Sequence, residues 1–171
     1  NKTVDGGLCA TKSAEREAYA IYPEEHLLNY DSTLFVRMDS EIEVFDAATL
    51  RGRSFATVKG YAFGGADQAL INYGMVRREA NNRDSLLKVL MARRVDMVLD
   101  STLPLQVDAE RLALNDQIRA LEPSVSSSPG YIMFSNKAGQ DALVSAFTKA
   151  LVAFKATDEY RDIAQKYNID H

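Results

Sequence analysis

The amino-acid sequence predicts an α/β fold with a mostly parallel sheet. Short apolar segments of strand length alternate along the chain with segments whose apolar residues recur every three or four positions. Residues 95–100, VDMVLD, form a nearly continuous apolar run, which is typical of a strand covered on both faces. A glycine turn at residues 60–65 joins a strand to a helix, as at the ligand-binding edge of α/β folds.

The first half of the chain begins with a small-residue strand predicted at residues 5–10. The polar turn TKSAER follows, and then a helical or irregular stretch that ends before Pro23. LFVRM at residues 34–38 and SFATV at residues 54–58 are rich in β-branched and aromatic side chains and predict two strands. Glycines at 60, 64 and 65 then turn the backbone into a helix predicted over residues 66–73.

The middle of the chain carries clear helix caps. Asn81, Asn82 or Asp84 can cap a helix that ends near Arg93, and its basic end suits the helix dipole. Asp96, which follows this helix, is interpreted as a structural residue of the turn. A further helix begins after the VDMVLD strand and runs to about residue 114, and a weak strand is predicted at 118–121.

The last part of the chain starts with SVSSSPG at residues 124–130, which is typical of a linker. YIMFS at 131–135 predicts a strand. The next helix has an apolar face that is expected to be buried, formed by Leu143, Phe147, Leu151 and Phe154. Thr157 or Asp158 caps a final helix.

Composition limits the class of protein. The chain has a net charge of −4 and a pI near 5.2, and its basic residues are scattered, which disfavours nucleic acid as a partner. No apolar run approaches the ~20 residues that span a bilayer. The single cysteine, Cys9, permits no internal disulfide, and we interpret it as a packing residue.

Catalytic and metal-binding patterns are not evident. The two histidines, His26 and His171, have no cysteine or clustered carboxylates nearby, so we expect no metal site and no cofactor. The serines at 124–128 lack a nucleophile-elbow context, and no Ser-His-Asp arrangement can be assembled. The sequence therefore does not predict an enzyme.

Two segments are expected at one edge of the sheet. In parallel sheets, ligands bind beyond the carboxyl ends of the strands, and the Gly60 turn and the Asp100-Ser101 segment both follow predicted strands. A helix start also exposes unpaired N–H groups that favour anionic or carbonyl groups. An ordinary strand-to-helix loop that binds nothing is the alternative.

The order of four stretches resembles a known family. VDGG followed by SAER, then LRGRSFATVKGYAFG, then LLKVLMARRVDMVLD, and finally YIMFSNKAG with ALVAFKATDEYRDIAQKYNI occur in the order seen in extracytoplasmic solute-binding proteins of ABC transporters. The group is family 3, the amino-acid-binding type with the periplasmic binding protein type II fold. The resemblance implies a two-lobe α/β protein of the periplasm that closes on a small ligand and delivers it to a membrane permease.

The resemblance also implies how the chain is divided. Residues 29–128 map to a complete second lobe, and residues 1–28 with 129–171 map to the first lobe. Family members carry about two further strand-helix units before the position of Val4, so the first lobe is expected to be incomplete. The chain is then a fragment, a processed form, or a protein whose first lobe is completed by another molecule, as in a homodimer.

In the first lobe, the resemblance implies that Arg16 binds the α-carboxylate of the ligand. The family pattern of Ser or Thr three residues before the arginine is present as Ser13. A guanidinium can hold a carboxylate through two parallel hydrogen bonds. Thr11 is implied as a hydroxyl or backbone partner, although the preceding loop is about one residue shorter than usual. A solvated surface arginine is the alternative for Arg16.

In the second lobe, Gly60, Tyr61 and Ala62 occupy positions where relatives offer hydroxyl and backbone N–H groups to the same carboxylate. Tyr61 is bulkier than the usual Thr or Ser, and a packing role is its alternative. Asp100 and Ser101 occupy the place of an aspartate that pairs with the ligand's ammonium group. Asp100 can instead cap the helix that follows it.

The predicted function is therefore binding of a small polar solute, an amino acid or related carboxylate, between two lobes for an ABC transporter. One alternative is the ligand-sensing domain of a membrane receptor such as a histidine kinase. Another is a small dehydratase on the same fold, which would need an acid or base from Asp100, Glu24 or Glu25.

Overall fold

The structure, a computed structural model, describes residues 4–46, 49–61, 63, 65–137, 139–167 and 169. The chain separates into two compact units. The first consists of Asn1–Asn29 and Pro129–His171, and the second is Tyr30–Ser128. No helix of the described residues is both long enough and apolar enough to cross a membrane.

Strands and helices alternate through most of the chain, which confirms the α/β class. In chain order the described elements are β1 (Gly6–Ala10), α1 (Ala14–Glu17), β2 (Ala20–Ile21), β3 (Leu28–Arg37), β4 (Ser54–Val58), α2 (Ala66–Asn72), β5 (Val76–Ala80), α3 (Arg83–Met91), β6 (Met97–Ser101), α4 (Thr102–Arg111), β7 (Ile118–Ala120), β8 (Ser126–Ser135), α5 (Gln140–Lys155) and α6 (Asp158–Tyr167).

The second unit is built on strands in the order β3-β6-β4-β5, with β7 paired to β3. β4 is parallel to both β5 and β6, with Phe55 opposite Met97 and Val58 opposite Ala80. β3 runs antiparallel to β6 and to β7. The expectation of a mostly parallel sheet therefore holds for β6-β4-β5, and the described pairs as a whole make a mixed sheet.

The core of the second unit lies on both faces of this sheet. Side chains alternate along a strand, so neighbouring residues of β4 and β6 enter different clusters. Ala56 and Val98 pack with Leu90 of α3 in one cluster, whereas Phe55 packs in the other. Helices α3 and α4 supply the first cluster and α2 supplies the second. This covering on both faces explains the continuous apolar run of VDMVLD.

In the first unit, β8 pairs antiparallel with β1 and β2. Gly6 lies opposite Phe134, and Ala20 lies opposite Ser135. A side chain at Gly6 would come within 2.6 Å of the backbone oxygen of Met133, so the close approach of the two strands requires glycine there.

Three differences from the sequence analysis concern these elements. β5, VRREA, is not predicted as a strand, since four of its five residues are polar or charged or small and only the last is buried. The linker-like segment 124–130 instead enters strand β8 at Ser126. The apolar face predicted on α5 is also wrong in part, because Leu143 is 52% exposed and Phe154 is 36% exposed, while Val144 is buried.

Helix starts agree with their predicted caps. The side chain of Asn82 accepts a hydrogen bond from the backbone N–H of Ser85 at 2.8 Å, which makes it the N-cap of α3. The hydroxyl of Thr157 accepts from the backbone N–H of Tyr160 at 3.2 Å at the start of α6. One cap was not predicted: the side chain of Ser13 caps the short helix α1 by accepting from the backbone N–H of Arg16 at 3.3 Å.

Candidate functional site

The carboxyl ends of β4, β5 and β6 meet at one edge of the second unit. The three strands are parallel and in register, and they end at Val58, Ala80 and Ser101. The Gly60 turn and the Asp100-Ser101 segment, which we predicted at one edge, therefore share it. Helix α3 also starts there, because only two residues separate Ala80 from Arg83.

Arg83 and Asp100 form a two-pronged ion pair at this edge. Nε of Arg83 donates to Oδ2 of Asp100 at 3.0 Å, and Nη2 donates to Oδ1 at 3.2 Å. The side chain of Asp100 is 0% exposed and that of Arg83 is 24% exposed. Oδ1 of Asp100 also accepts from the backbone N–H of Ser101 at 2.7 Å, so both carboxylate oxygens are engaged.

Burial and charge act in opposite directions on this pair. Burial raises the pKa of Asp100, and the hydrogen bonds and charge of Arg83 reduce that effect without reversing it. Burial also works to lower the pKa of Arg83, but the hydrogen bond and charge of Asp100 outweigh it and raise that pKa. Arg83 therefore stays charged, and together with the backbone N–H of Ser101 it compensates for the burial of Asp100.

Tyr61 lies over Arg83. The guanidinium carbon of Arg83 is 5.1 Å from the centre of the Tyr61 ring, within the range of a cation–π contact. The ring centre of Phe63 lies 6.3 Å from the ring centre of Tyr61. The backbone N–H of Tyr61 donates to the carbonyl of Val58 at 3.1 Å and closes the turn.

The turn itself depends on Gly60, which has φ of +79°, a conformation that glycine adopts at little cost. No atom lies within 4 Å of a side chain placed there, so backbone conformation and not crowding selects glycine. Ala62, the third residue predicted in this turn, lies outside the described residues.

Ser101 begins helix α4. It is the N-cap residue, without a side-chain hydrogen bond to the helix. Asp100 precedes the N-cap residue, and the described backbone N–H that its carboxylate accepts from is that of Ser101. The carboxylate of Asp100 therefore does not cap this helix, as the alternative had it. Next to it, the hydroxyls of Thr102 and Thr33 lie 2.8 Å apart, and Thr102 donates to the carbonyl of Asp31 at 3.1 Å.

A line of alternating charges continues from Arg83. Nη1 of Arg83 lies 3.9 Å from Oδ2 of Asp108, which is longer than a hydrogen bond. Asp108 in turn accepts from Nη2 of Arg111 at 2.9 Å, and Arg111 also pairs with Asp84. Arg83 was missed in the sequence analysis, because its partner is 17 positions away and strand β5, which places it, was not predicted.

In the first unit, the structure brings Arg16 and Thr11 together. Nη1 of Arg16 donates to the carbonyl oxygen of Thr11 at 2.9 Å and to its hydroxyl at 3.1 Å. Both bonds use the same nitrogen. Thr11 therefore orients the guanidinium, and Ser13 fixes the backbone of the same short helix.

An aromatic cluster in the first unit was not foreseen. Nζ of Lys12 lies 4.2 Å from the ring centre of Tyr131 and 5.7 Å from that of Tyr22. The two rings meet edge to face at 5.7 Å. Burial raises the pKa of Tyr22, so its hydroxyl stays protonated. No local pattern links these residues, because Tyr131 is more than a hundred positions from the others.

Two cavities of the described residues lie away from the predicted site residues. A cavity of about 540 Å³ in the first unit contains none of the predicted site residues, and its lining includes Val4, Gly6, Tyr19, Met133, Phe134 and Lys137. A smaller one of about 200 Å³ lies in the second unit among Arg37, Asp39, Arg53, Arg93 and Asp96. Within the described part of the chain, no group of three or more His, Cys, Asp or Glu is placed to hold a metal ion.

Comparison with known proteins identifies the fold. No protein-family model matches the chain, and no curated protein matches it. Among solved structures, the substrate binding protein of an amino acid ABC transporter superposes with a TM-score of 0.75 at 15% identity, over 96% of this chain and 70% of that one. An arginine 3rd transport system periplasmic binding protein from Legionella pneumophila gives 0.78 at 21% identity, over 98% and 74%.

A third match is a histidine kinase sensor domain with similarity to periplasmic binding proteins. Its TM-score is 0.76 at 20% identity, and it covers 96% of this chain and 69% of that one. At these identities the matches show the fold alone. The chain has the two-lobe α/β fold of periplasmic binding proteins, and the resemblance read from the sequence is confirmed at that level.

Proposed function

We propose that this chain binds a small polar solute with a carboxylate group, an amino acid or a related acid, and serves an ABC transporter in the periplasm. The observation that carries the proposal is the hydrogen bonding of the Arg16 side chain. Thr11 holds this guanidinium through Nη1, and the described hydrogen bonds of the side chain involve no other nitrogen. The fold shared with substrate binding proteins supports the same reading.

The chemistry of Arg16 suits a carboxylate. A guanidinium carries five N–H donors, and two parallel ones match the two oxygens of a carboxylate. With Nη1 bound to Thr11, Nε and Nη2 supply such a pair. A side chain already oriented by Thr11 also loses less conformational entropy on binding than a free one. Thr11 and Arg16 then act together, Thr11 as the positioning residue.

The second unit contributes the group formed by Gly60, Tyr61, Arg83, Asp100 and Ser101. Its members share one edge of the sheet, where ligands of α/β folds bind. The Arg83-Asp100 pair forms a hydrogen-bonded, polar surface at this edge. We propose that this group takes part in ligand binding, and that Ala62 belongs to the set as predicted.

Thermal denaturation of the chain against a library of amino acids and organic acids tests the proposal. We expect at least one acid to raise the melting temperature, because a ligand that binds only the folded state stabilises it. Arg16→Ala should weaken binding by about tenfold to a hundredfold, as loss of hydrogen bonds to a charged group costs about 1.5–3 kcal/mol.

Two further variants sharpen this test. Arg16→Lys keeps the charge but loses the paired donors, so it should recover little of the affinity. Arg94→Ala removes an exposed arginine of the second unit and should leave binding unchanged. Stabilisation by no acid in the library, or equal losses in the Arg16 and Arg94 variants, would contradict the proposal.

A sensory role is the second candidate, and the likeness to a histidine kinase sensor domain favours it. Both roles begin with the same binding step, so the discriminating measurement is the partner. Capture of a transporter permease by the ligand-bound chain supports transport, whereas a membrane-spanning segment and a kinase domain in the same reading frame support sensing. Catalysis is disfavoured because two of the three predicted acids or bases, which are Asp100, Glu24 and Glu25, are engaged: Arg83 binds Asp100 and Lys155 binds Glu25. The homodimer stays a prediction, which sedimentation of the chain tests.

A further inference from the structure

The edge of the second unit described above is rich in hydrogen-bond donors. Nη1 of Arg83 has no acceptor within hydrogen-bond distance among the described residues, since Asp108 lies 3.9 Å away. The hydroxyls of Tyr61 and Ser101 lie at the same edge, and Tyr61 is 38% exposed. A group that accepts hydrogen bonds, such as a carboxylate, matches these donors.

A ligand ammonium group, in contrast, needs an exposed hydrogen-bond acceptor, preferably a carboxylate. Asp100 cannot serve in this state, because its side chain is 0% exposed and each of its oxygens is bound by Arg83. Asp108 and Asp84 are both engaged by Arg111. Two other acidic residues lie near this edge. Glu79 precedes the end of β5 and pairs with Arg77, and Asp31, whose backbone carbonyl accepts from Thr102, is half-buried at the start of the second unit.

We infer that Arg83 determines the ligand class by occupying Asp100, so that this chain selects acids without an α-ammonium group, dicarboxylates above all, over the corresponding amino acids. The inference rests on the proposed function, since it concerns the same site. A carboxylate of such a ligand binds Nη1 of Arg83. The ammonium group of an amino acid would have to approach the Arg83 guanidinium, and like charges repel.

Matched pairs of ligands test this with the unaltered protein. Succinate and L-aspartate share one carbon skeleton, as do glutarate and L-glutamate, and each pair differs by the ammonium group. Titration calorimetry should show the dicarboxylate of at least one pair binding about tenfold tighter than its amino acid, because an ammonium left without an acceptor loses its solvation. Tighter binding of the amino acid in both pairs would overturn the inference while leaving the proposed function intact.

Variants identify the residue responsible. Arg83→Gln frees the carboxylate of Asp100, so the preference should shift toward the amino acid by about tenfold or more. Arg94→Gln is the matched control, because it removes an exposed arginine of the second unit that has no described contact with Asp84, Asp100 or Asp108, and the ratio should not move. An equal shift in both variants would contradict the assignment to Arg83.

Two measurements keep the test decisive if Arg83→Gln does not fold. The double variant Arg83→Gln with Asp100→Asn keeps a hydrogen-bonded pair without charge, and it should lose affinity for dicarboxylates without gaining any for amino acids. Asp31→Asn should leave the preference unchanged, and a loss confined to amino acids would overturn the inference. Binding of neither class by the unaltered protein would instead contradict the proposed function on which it rests.

Discussion

Arg16 and Arg83 are both arginines near a helix start, yet only Arg16 could be identified from the sequence. Ser13, three residues before Arg16, carries the family pattern, and both residues belong to one helix turn. Arg83 acquires its role from Asp100, 17 positions away, and from Tyr61 on another loop. The chemical role of a single side chain depends on the residues that it contacts. Those contacts can be predicted from the sequence only when the residues lie close along the chain.

Gly60 supports a prediction at the same scale. Its φ of +79° is costly for side chains with a Cβ atom, whereas the space around it is open. We expect Gly60→Ala to lower the free energy of unfolding by about 1–2 kcal/mol, measured by urea denaturation. Gly60→Asn should cost less, because asparagine tolerates the left-handed region. Equal costs for the two variants would show that crowding and not backbone conformation limits this position.

At the level of secondary-structure elements, Asp96 links two strands. Its Oδ2 accepts from the backbone N–H and the hydroxyl of Ser54, each at 2.7 Å, so the residue before β6 anchors the start of β4. Burial works to raise the pKa of Asp96, but the hydrogen bonds from Ser54 and the charge of Arg53 outweigh it and hold that pKa below 3.8. The structural role predicted for Asp96 is confirmed by these contacts.

The pKa of Asp96 has a defined consequence for stability. Because the folded-state pKa lies below the unfolded value, the stabilisation is fully present above about pH 4 and is lost as the pH falls through the folded pKa. We expect Asp96→Asn to destabilise the protein at pH 7 and to approach the unaltered protein as the pH falls toward 3, in urea unfolding at several pH values. Glu110→Gln, which removes an exposed carboxyl group of α4, is the control. A constant difference across this range would contradict the prediction.

Strand β5 and the start of β8 show why element prediction fails where it does. β5 pairs with β4 at the end of the strand order, and mostly exposed side chains leave it no apolar pattern. Charged residues on such an edge also discourage pairing with other chains. Residues 126–130 contain three serines, a proline and a glycine, which indicate a linker when read locally. Both segments are strands because they pair with strands elsewhere in the chain, and such non-local pairing cannot be seen in the local sequence.

The distribution of buried residues describes the molecule as a whole. Both large apolar clusters, with Phe35, Phe55, Leu90 and Leu99 among their members, consist of residues from the second unit. The buried hydrophobic residues described in the first unit are Ala10, Ala20, Val144, Leu151 and Ala164. Burial of apolar side chains is the main favourable term in folding, so the second unit holds most of that stabilisation.

This distribution predicts that residues 30–128 fold without the rest of the chain. We expect a cooperative urea transition and slow hydrogen exchange in β4 and β6, because both clusters and these two strands lie wholly within this segment. Leu90→Ala in the fragment should cost about 2–5 kcal/mol, since its side chain is fully buried. Val107→Ala, at a position 55% exposed, should change stability by about 0.5 kcal/mol or less. A fragment without a cooperative transition would contradict the prediction.

From the amino-acid sequence alone we could predict the α/β class, the starts of α3 and α6 to within a few residues, the SFATV and VDMVLD strands and the glycine turn at Gly60. Each of these depends on residues within a few positions of one another, where backbone preference and side-chain spacing act directly. Three features became visible only in the folded chain: Arg83 binds Asp100, β5 is a strand, and Lys12 lies over Tyr131. Those contacts join residues far apart in the chain, and their free energy exists only once the strands have paired and the side chains are buried.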